Sequence, residues 1–267
     1  MLDIGKKHIG SPAVMGILNI TPDSFSDGGS HRNVTDAVAH AMRMIDDGAS
    51  IIDIGAESTR PGFLPVSEKE EMDRLLPVIR GIREVSDITI SVDTRKSAVA
   101  YEAVSAGADI LNDVNSFRDE RMFECASEFD VPIILMHCPT DVGVVHQNDM
   151  VGDPMPQIIS FFEEKISIGE SYGIKRKDMI LDPGVGFGKT MEQNVRILDE
   201  LGSLKIGNPL LIAVSRKRVL SYLYPDTDRD ESTILANLDA ISKGADIVRV
   251  HDTKRMVDAI KGYRHKQ

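Results

Sequence analysis

Eight short and almost continuously apolar runs recur along the chain, each followed by a stretch of helical character. The runs occupy 14–20, 51–56, 88–92, 109–114, 131–136, 179–181, 210–214 and 246–250. They are rich in Val, Ile and Leu and do not alternate apolar with polar, the pattern of parallel strands covered on both faces. Segments 34–47, 97–106, 123–129, 157–172, 192–201, 231–243 and 253–261 read as helices. Another helix opens at Ser67, with Ser67 and Glu70 spaced as the N-cap and N3 residues of a capping box. Three returns into a strand begin Gly-Ala-Asp or Gly-Ala-Ser, at Gly48, Gly107 and Gly244, a helix-ending glycine followed by a tight turn. Eight such units close most naturally into a (β/α)8 TIM barrel of the α/β class. The alternative is an open doubly wound sheet, but no Gly-x-Gly-x-x-Gly follows the first strand. The 267 residues suit a single domain over 1–267, without a break in composition.

In a barrel of this kind the chemistry belongs to the C-terminal ends of the strands. Those ends carry Asn19, Glu57 with Thr59 and Arg60 beyond it, Asp93, Asn112, His137, Asp182, Ser215-Arg216-Lys217 and Arg249-Val250-His251. A single strand-end Asp or Asn commonly caps the next helix. Polar groups at all eight ends cannot all be caps, so convergence on one mouth is expected. Long or glycine-rich loops at 19–29, 57–62 and 182–189 flank that mouth. The set offers neither a Ser-His-Asp or Cys-His pairing nor the His and carboxylate cluster of a tightly held metal. Cys125 and Cys138 fit no disulfide or zinc pattern and read as buried thiols in a reducing compartment.

With 31 Lys+Arg against 42 Asp+Glu, the net charge of −11 argues against nucleic acid as a partner. No apolar leader opens the sequence, and the run 131–136 is far too short to span a bilayer. A cytoplasmic enzyme acting on small molecules, without a membrane partner, is the expectation.

The motifs, taken in order, resemble the dihydropteroate synthase family of pterin-binding barrels. The resemblance rests on 15–29 (MGILNITPDSFSDGG), Glu57-Ser58-Thr59-Arg60-Pro61-Gly62, Ser91-Val92-Asp93-Thr94, Asn112-Asp113 and Leu135-Met136-His137. It continues through Asp182-Pro183-Gly184, Gly186-Phe187-Gly188-Lys189, Ser215-Arg216-Lys217 and Arg249-Val250-His251-Asp252, covering essentially the whole chain. One such motif is weak; the ordered set is specific.

The resemblance implies a homodimeric transferase of folate synthesis. Its reaction joins (7,8-dihydropterin-6-yl)methyl diphosphate to 4-aminobenzoate with Mg²⁺ present, the C–O bond breaking before the arylamine attacks. By resemblance, Asp93, Asn112, Asp182, Lys217 and Arg249 bind the pterin, and Asn19, Thr59, Arg249 and His251 the diphosphate. Phe25, Thr59, Arg60, Pro61, Phe187, Ser215 and Lys217 frame the aminobenzoate, and Asn19 contacts Mg²⁺. The residue chemistry agrees. A carboxylate such as Asp182 accepts two parallel N–H bonds from a pterin edge, and Asn112 offers a donor and an acceptor together. Asp93 accepts from a further ring N–H, Lys217 donates to the ring carbonyl and nitrogen, and the flat Arg249 guanidinium stacks on the ring and reaches phosphate. Closure of the first loop, at 24–29, over bound substrate is expected.

Three departures from the family pattern stand out. Cys138-Pro139-Thr140-Asp141-Val142-Gly143 replaces the usual continuation after His137. Ala56 and Ala213 stand where glycine is common, and each is expected to trim the pocket by a methyl group. Two rivals remain open. A methyl-transferring pterin barrel needs the Asp and Asn edge but not residues 59–61, Lys217 or the Arg249/His251 pair. A non-catalytic barrel would let the loop motifs decay.

Overall fold

A computed structural model describes residues 1–20, 30–57, 65–141 and 150–264. A hairpin, β1 (Leu2–Ile4) with β2 (Lys7–Ile9), precedes the barrel. The barrel strands are β3 (Ala13–Asn19), β4 (Ile51–Gly55), β5 (Thr89–Asp93), β6 (Ile110–Asp113), β7 (Ile133–Met136), β8 (Met179–Asp182), β9 (Leu211–Ile212) and β10 (Ile247–Val250). Strands β3 to β8 pair in parallel in chain order, and β10 lies between β9 and β3. The ring closes at one point, where Leu181 bridges Leu210 and donates its N–H to the Pro209 carbonyl at 2.9 Å. β9 is shorter than the predicted 210–214. Pro209 brings no N–H to its start, and the chain already turns at Val214, whose carbonyl accepts from Lys217.

Around the sheet run α1 (Ser30–Asp46), α2 (Glu68–Arg83), α3 (Ser97–Ser105), α4 (Arg121–Phe129), α5 (Pro154–Ser171), α6 (Met191–Asp199), α7 (Arg218–Leu223), α8 (Arg229–Ser242) and α9 (Thr253–Arg264). Gly48, Gly107 and Gly244 have φ of +99°, +118° and +103°, the left-handed turn that ends a helix without a Cβ clash. The box at Ser67 is half formed. Its hydroxyl accepts from Glu70 N–H at 3.2 Å, but the Glu70 carboxylate turns to Arg74.

The two-residue period of the strands sorts their side chains into two cores. Val14, Ile52, Ile90, Leu111, Ile133, Leu181, Ile212 and Val248 point outward into the helices. Met15, Ile51, Ile110, Ile134, Ile180, Leu211 and Ile247 point inward, where they pack with Leu2, Ile4 and Ile9 of the hairpin. Gly5 N–H donates to Asp178 at 2.7 Å, and Lys7 reaches the Asp87 carbonyl and the Asp109 carboxylate, at the N-terminal ends of three strands. The hairpin therefore plugs the bottom of the barrel with apolar side chains. Each fully buried Ile or Leu contributes about 1.5–3 kcal/mol by leaving water. The open end is the other one.

Candidate active site

Above the apolar floor, the inward positions turn polar: Asp53, Ser91, Asp93, Asn112, Asp182 and Arg249. Arg249 lies between two carboxylates. Its Nε donates to Asp53 at 2.6 Å and its Nη2 to Asp93 at 2.9 Å. Asn112 Nδ2 approaches the two Asp53 oxygens at 3.3 and 3.4 Å. Across the lumen Asp182 accepts the Gly184 N–H at 2.8 Å. The half-buried Lys217 reaches in from the loop after β9, donates to the Val185 carbonyl at 2.5 Å and holds its amine 4.8 Å from the Phe187 ring centre.

Burial dominates the electrostatics. It pushes Asp93 up to about 7, helped by the Asp53 charge and opposed by Arg249. It also raises Asp182, against Lys217 and the Gly184 N–H. Burial lowers Lys217 to about 8, against the pull of Asp182. Three carboxylates face two cations, so the lumen favours a ligand rich in N–H donors or carrying positive charge. The Ser91 hydroxyl, in register with Asp53, is buried without a hydrogen-bond partner among the described residues. Asp53 belongs to none of the motifs or strand ends read from the sequence, and Ser91 enters there only as part of the motif 91–94 without a role. The legible signal for Asp53 was a carboxylate inside an otherwise apolar buried strand, where a charge must be paired.

At the rim, Ser215 Oγ lies 2.9 Å from His251 Nδ1 and accepts the His251 backbone N–H at 3.3 Å. Asn19 is exposed at the end of β3, and Phe187 packs beside Val114, Met136 and Cys138.

Comparison with known proteins decides the family. A family model described as "Pterin binding enzyme" matches residues 15–251. The dihydropteroate synthase of Bacillus subtilis is 46% identical over 252 residues, covering 93% of this chain and 86% of the relative. The chain belongs to the dihydropteroate synthase family. The Escherichia coli dihydropteroate synthase is 41% identical, covering 94% of this chain and 90% of its own length. Among solved structures, the Xanthomonas albilineans dihydropteroate synthase with 4-aminobenzoic acid superposes with a TM-score of 0.89 at 39% identity, covering 96% of this chain and 93% of the other. The same enzyme in complex with 7,8-dihydropteroate gives 0.86 at 36% identity, with coverage of 98% and 95%.

Several polar strand ends do not join the mouth of this dihydropteroate synthase family member. His137 is buried and packs edge-on against Phe161 of α5, its ring centre 4.9 Å away, on the outer side of the barrel. Arg216 turns outward to Asp230, with Nε to the carboxylate at 2.7 Å. Glu57 binds Arg95 and Lys96 at 2.8 Å each and accepts the Val66 N–H at 3.0 Å, pinning the chain on either side of residues 58–64. Burial works against the Glu57 charge, yet these donors hold its carboxyl below the usual range. Ala56 belongs to the outer core, so its methyl does not trim the pocket; Ala213 does face the lumen. Phe25, Thr59, Arg60, Pro61 and the loop 24–29 lie outside the described residues.

The glycine loop after β8 is fixed from below. Gly184 has φ +63°, and a Cβ there would stand 2.0 Å from the His137 carbonyl oxygen. The buried Lys189 amine donates to the carbonyls of His137, Gly184 and Phe187 at 3.1, 2.9 and 3.1 Å. Lys189 is thus a staple of the loop that carries Asp182 and Phe187.

His137 gives a pH prediction. Burial, then the Lys189 charge, lower it from 6.5 to about 2. Between those values the unfolded chain takes a proton that the folded one refuses, so stability falls as pH drops below about 6.5. Urea unfolding at pH 7 and 5.5 is expected to show wild type losing about 1 kcal/mol more than His137→Gln. Equal losses would place the imidazole in water.

Proposed function

We propose that this chain is a dihydropteroate synthase, joining (7,8-dihydropterin-6-yl)methyl diphosphate to 4-aminobenzoate with release of diphosphate. The observation that carries the reading is the convergence of Asp93, Asn112, Asp182 and Lys217 on one enclosed lumen above a closed apolar floor. A flat ring entering edge-on meets acceptors at Asp93 and Asp182, an amide at Asn112 and the Lys217 amine, with the Arg249 guanidinium beside it. Its methylene diphosphate then points to the rim, where His251 meets the departing anion, with the Arg249 cation in the lumen beneath adding to its stabilisation.

The diphosphate oxygen leaves with the C–O bonding pair, and positive charge spreads from the methylene carbon into the ring. The lumen's excess of carboxylate over cation favours that charge, strongly so where water is excluded. The amine nitrogen of 4-aminobenzoate then forms the C–N bond and gives up a proton. Phe187, Ser215 and Lys217 frame the arylamine, and on sequence grounds Phe25, Thr59, Arg60 and Pro61 complete that site.

Among the described residues no three His, Cys, Asp or Glu side chains gather to hold a metal. The exposed Asn19 amide oxygen is a hard ligand at the mouth. It fits a Mg²⁺ carried mainly by diphosphate oxygens and water, which would neutralise the leaving group. No helix among the described residues is long and apolar enough to cross a membrane; we place the enzyme in the cytoplasm. We also propose a homodimer, for which exposed Tyr222 of α7 and Leu235 of α8 offer apolar surface. A sedimenting mass of one chain would rule it out.

Purified protein is expected to release diphosphate only with the pterin diphosphate, 4-aminobenzoate and Mg²⁺ all present. Methyl transfer, or ring binding without turnover, would overturn this reading.

A further inference from the structure

Resting on the reading above, we propose that Asp53 is the positioning residue of the ring site. It keeps the Arg249 guanidinium fixed and charge-paired when the pterin edge draws Asp93 away, and it aims the Asn112 carbonyl oxygen at the ring. Three observations lead there. Asp53 pairs across the ladder with Ser91, and Asp93 with Gly55, so Asp53 lies one inward layer beneath Asp93. Its side chain is 0% exposed against 13% for Asp93, so Asp93 is the carboxylate a ligand reaches. Asp53 is nevertheless the closer partner of Arg249, at 2.6 Å against 2.9 Å.

The consequence is an exchange of partners. In the free protein Arg249 is shared between two carboxylates. A ring N–H that claims Asp93 leaves the guanidinium with Asp53, so binding does not strand a buried cation. Asp53 also decides which way the Asn112 amide faces. A carboxylate only accepts, so the NH2 group 3.3–3.4 Å away must be turned to it, and the amide oxygen is presented elsewhere.

Asp53→Asn keeps the shape and removes the charge. It leaves one acceptor for two donors and lets the Asn112 amide turn over. Titration calorimetry with the pterin alcohol lacking diphosphate is expected to show at least a tenfold loss of affinity. The KM for pterin diphosphate should rise with it, while the KM for 4-aminobenzoate stays within twofold. Unchanged ring affinity, or an equal rise in both KM values, would overturn the proposal. If Asp53→Asn does not fold, Asp53→Asn/Arg249→Gln removes the pair together. It should bind the ring at least threefold more weakly than Arg249→Gln alone; equal binding again counts against Asp53. A wild-type chain that neither binds the ring nor turns over would instead defeat the assignment of the reaction.

Discussion

Asp182→Ala is expected to weaken binding of the pterin ring by about 2–4 kcal/mol, roughly 30- to 1,000-fold. The loss exceeds that of one ordinary hydrogen bond because the carboxylate is buried at the end of β8 and its charge is balanced by Lys217 from the neighbouring loop after β9. Removing it leaves the ring's N–H donors without their buried acceptor, and leaves the Lys217 amine without its counter-charge. The Gly184 N–H also loses its acceptor, but the Lys189 staple still holds that loop through three carbonyls. The protein should therefore fold, with the damage appearing in ring affinity. Calorimetry with the pterin alcohol checks this, and Asp182→Asn, which keeps one acceptor, should lose less. Affinity within threefold of wild type in Asp182→Ala would mean the ring is read elsewhere.

The second large effect is on stability. Arg249→Leu leaves Asp53 and Asp93 facing each other without a cation, and breaking a buried pair in this way costs about 3–5 kcal/mol. The penalty depends on pH with a definite sign. Asp93, already raised by burial and the Asp53 charge, escapes part of the cost by keeping a proton, so its folded-state pKa moves further above the unfolded value near 3.8. A group raised in this way makes the folded state bind more protons, so its contribution to stability declines as pH rises. Urea unfolding should show a penalty at pH 8 exceeding that at pH 5 by about 1 kcal/mol or more, and Asp53→Asn/Arg249→Leu should recover part of it. The same penalty at both pH values would show that the carboxylates are solvated.

The barrel was legible because each strand is buried on both faces, which leaves a continuous apolar run that other elements rarely produce. Element ends were less so: α1 begins at Ser30, ahead of the predicted 34, and β9 keeps only two residues. The hairpin at Leu2–Ile9 and the six-residue α7 are too short to show a period. At the site, adjacent residues of one motif were read together although a strand sends neighbours to opposite faces. Met136 turns towards the rim and His137 away from it, Gly55 is inward and Ala56 outward, and Lys217 faces the lumen while Arg216 faces α8. Counting by twos along β7 and β4 and one residue past each separates the first two pairs without a structure, whereas Arg216 and Lys217 lie beyond the turn at Val214, where no strand period applies. The same count, carried down β4, reaches Asp53. What no period reveals is which carboxylate Arg249 prefers, since that depends on how β4, β5 and β10 are staggered in the closed ring.

A crystal structure of the chain with the pterin diphosphate bound is the most direct measurement. The bicyclic ring is expected inside the mouth of the barrel, within hydrogen-bond distance of Asp93, Asn112, Asp182 and Lys217, with its diphosphate towards His251. A ring seated outside the lumen, or one that leaves those four side chains untouched, would contradict the assignment.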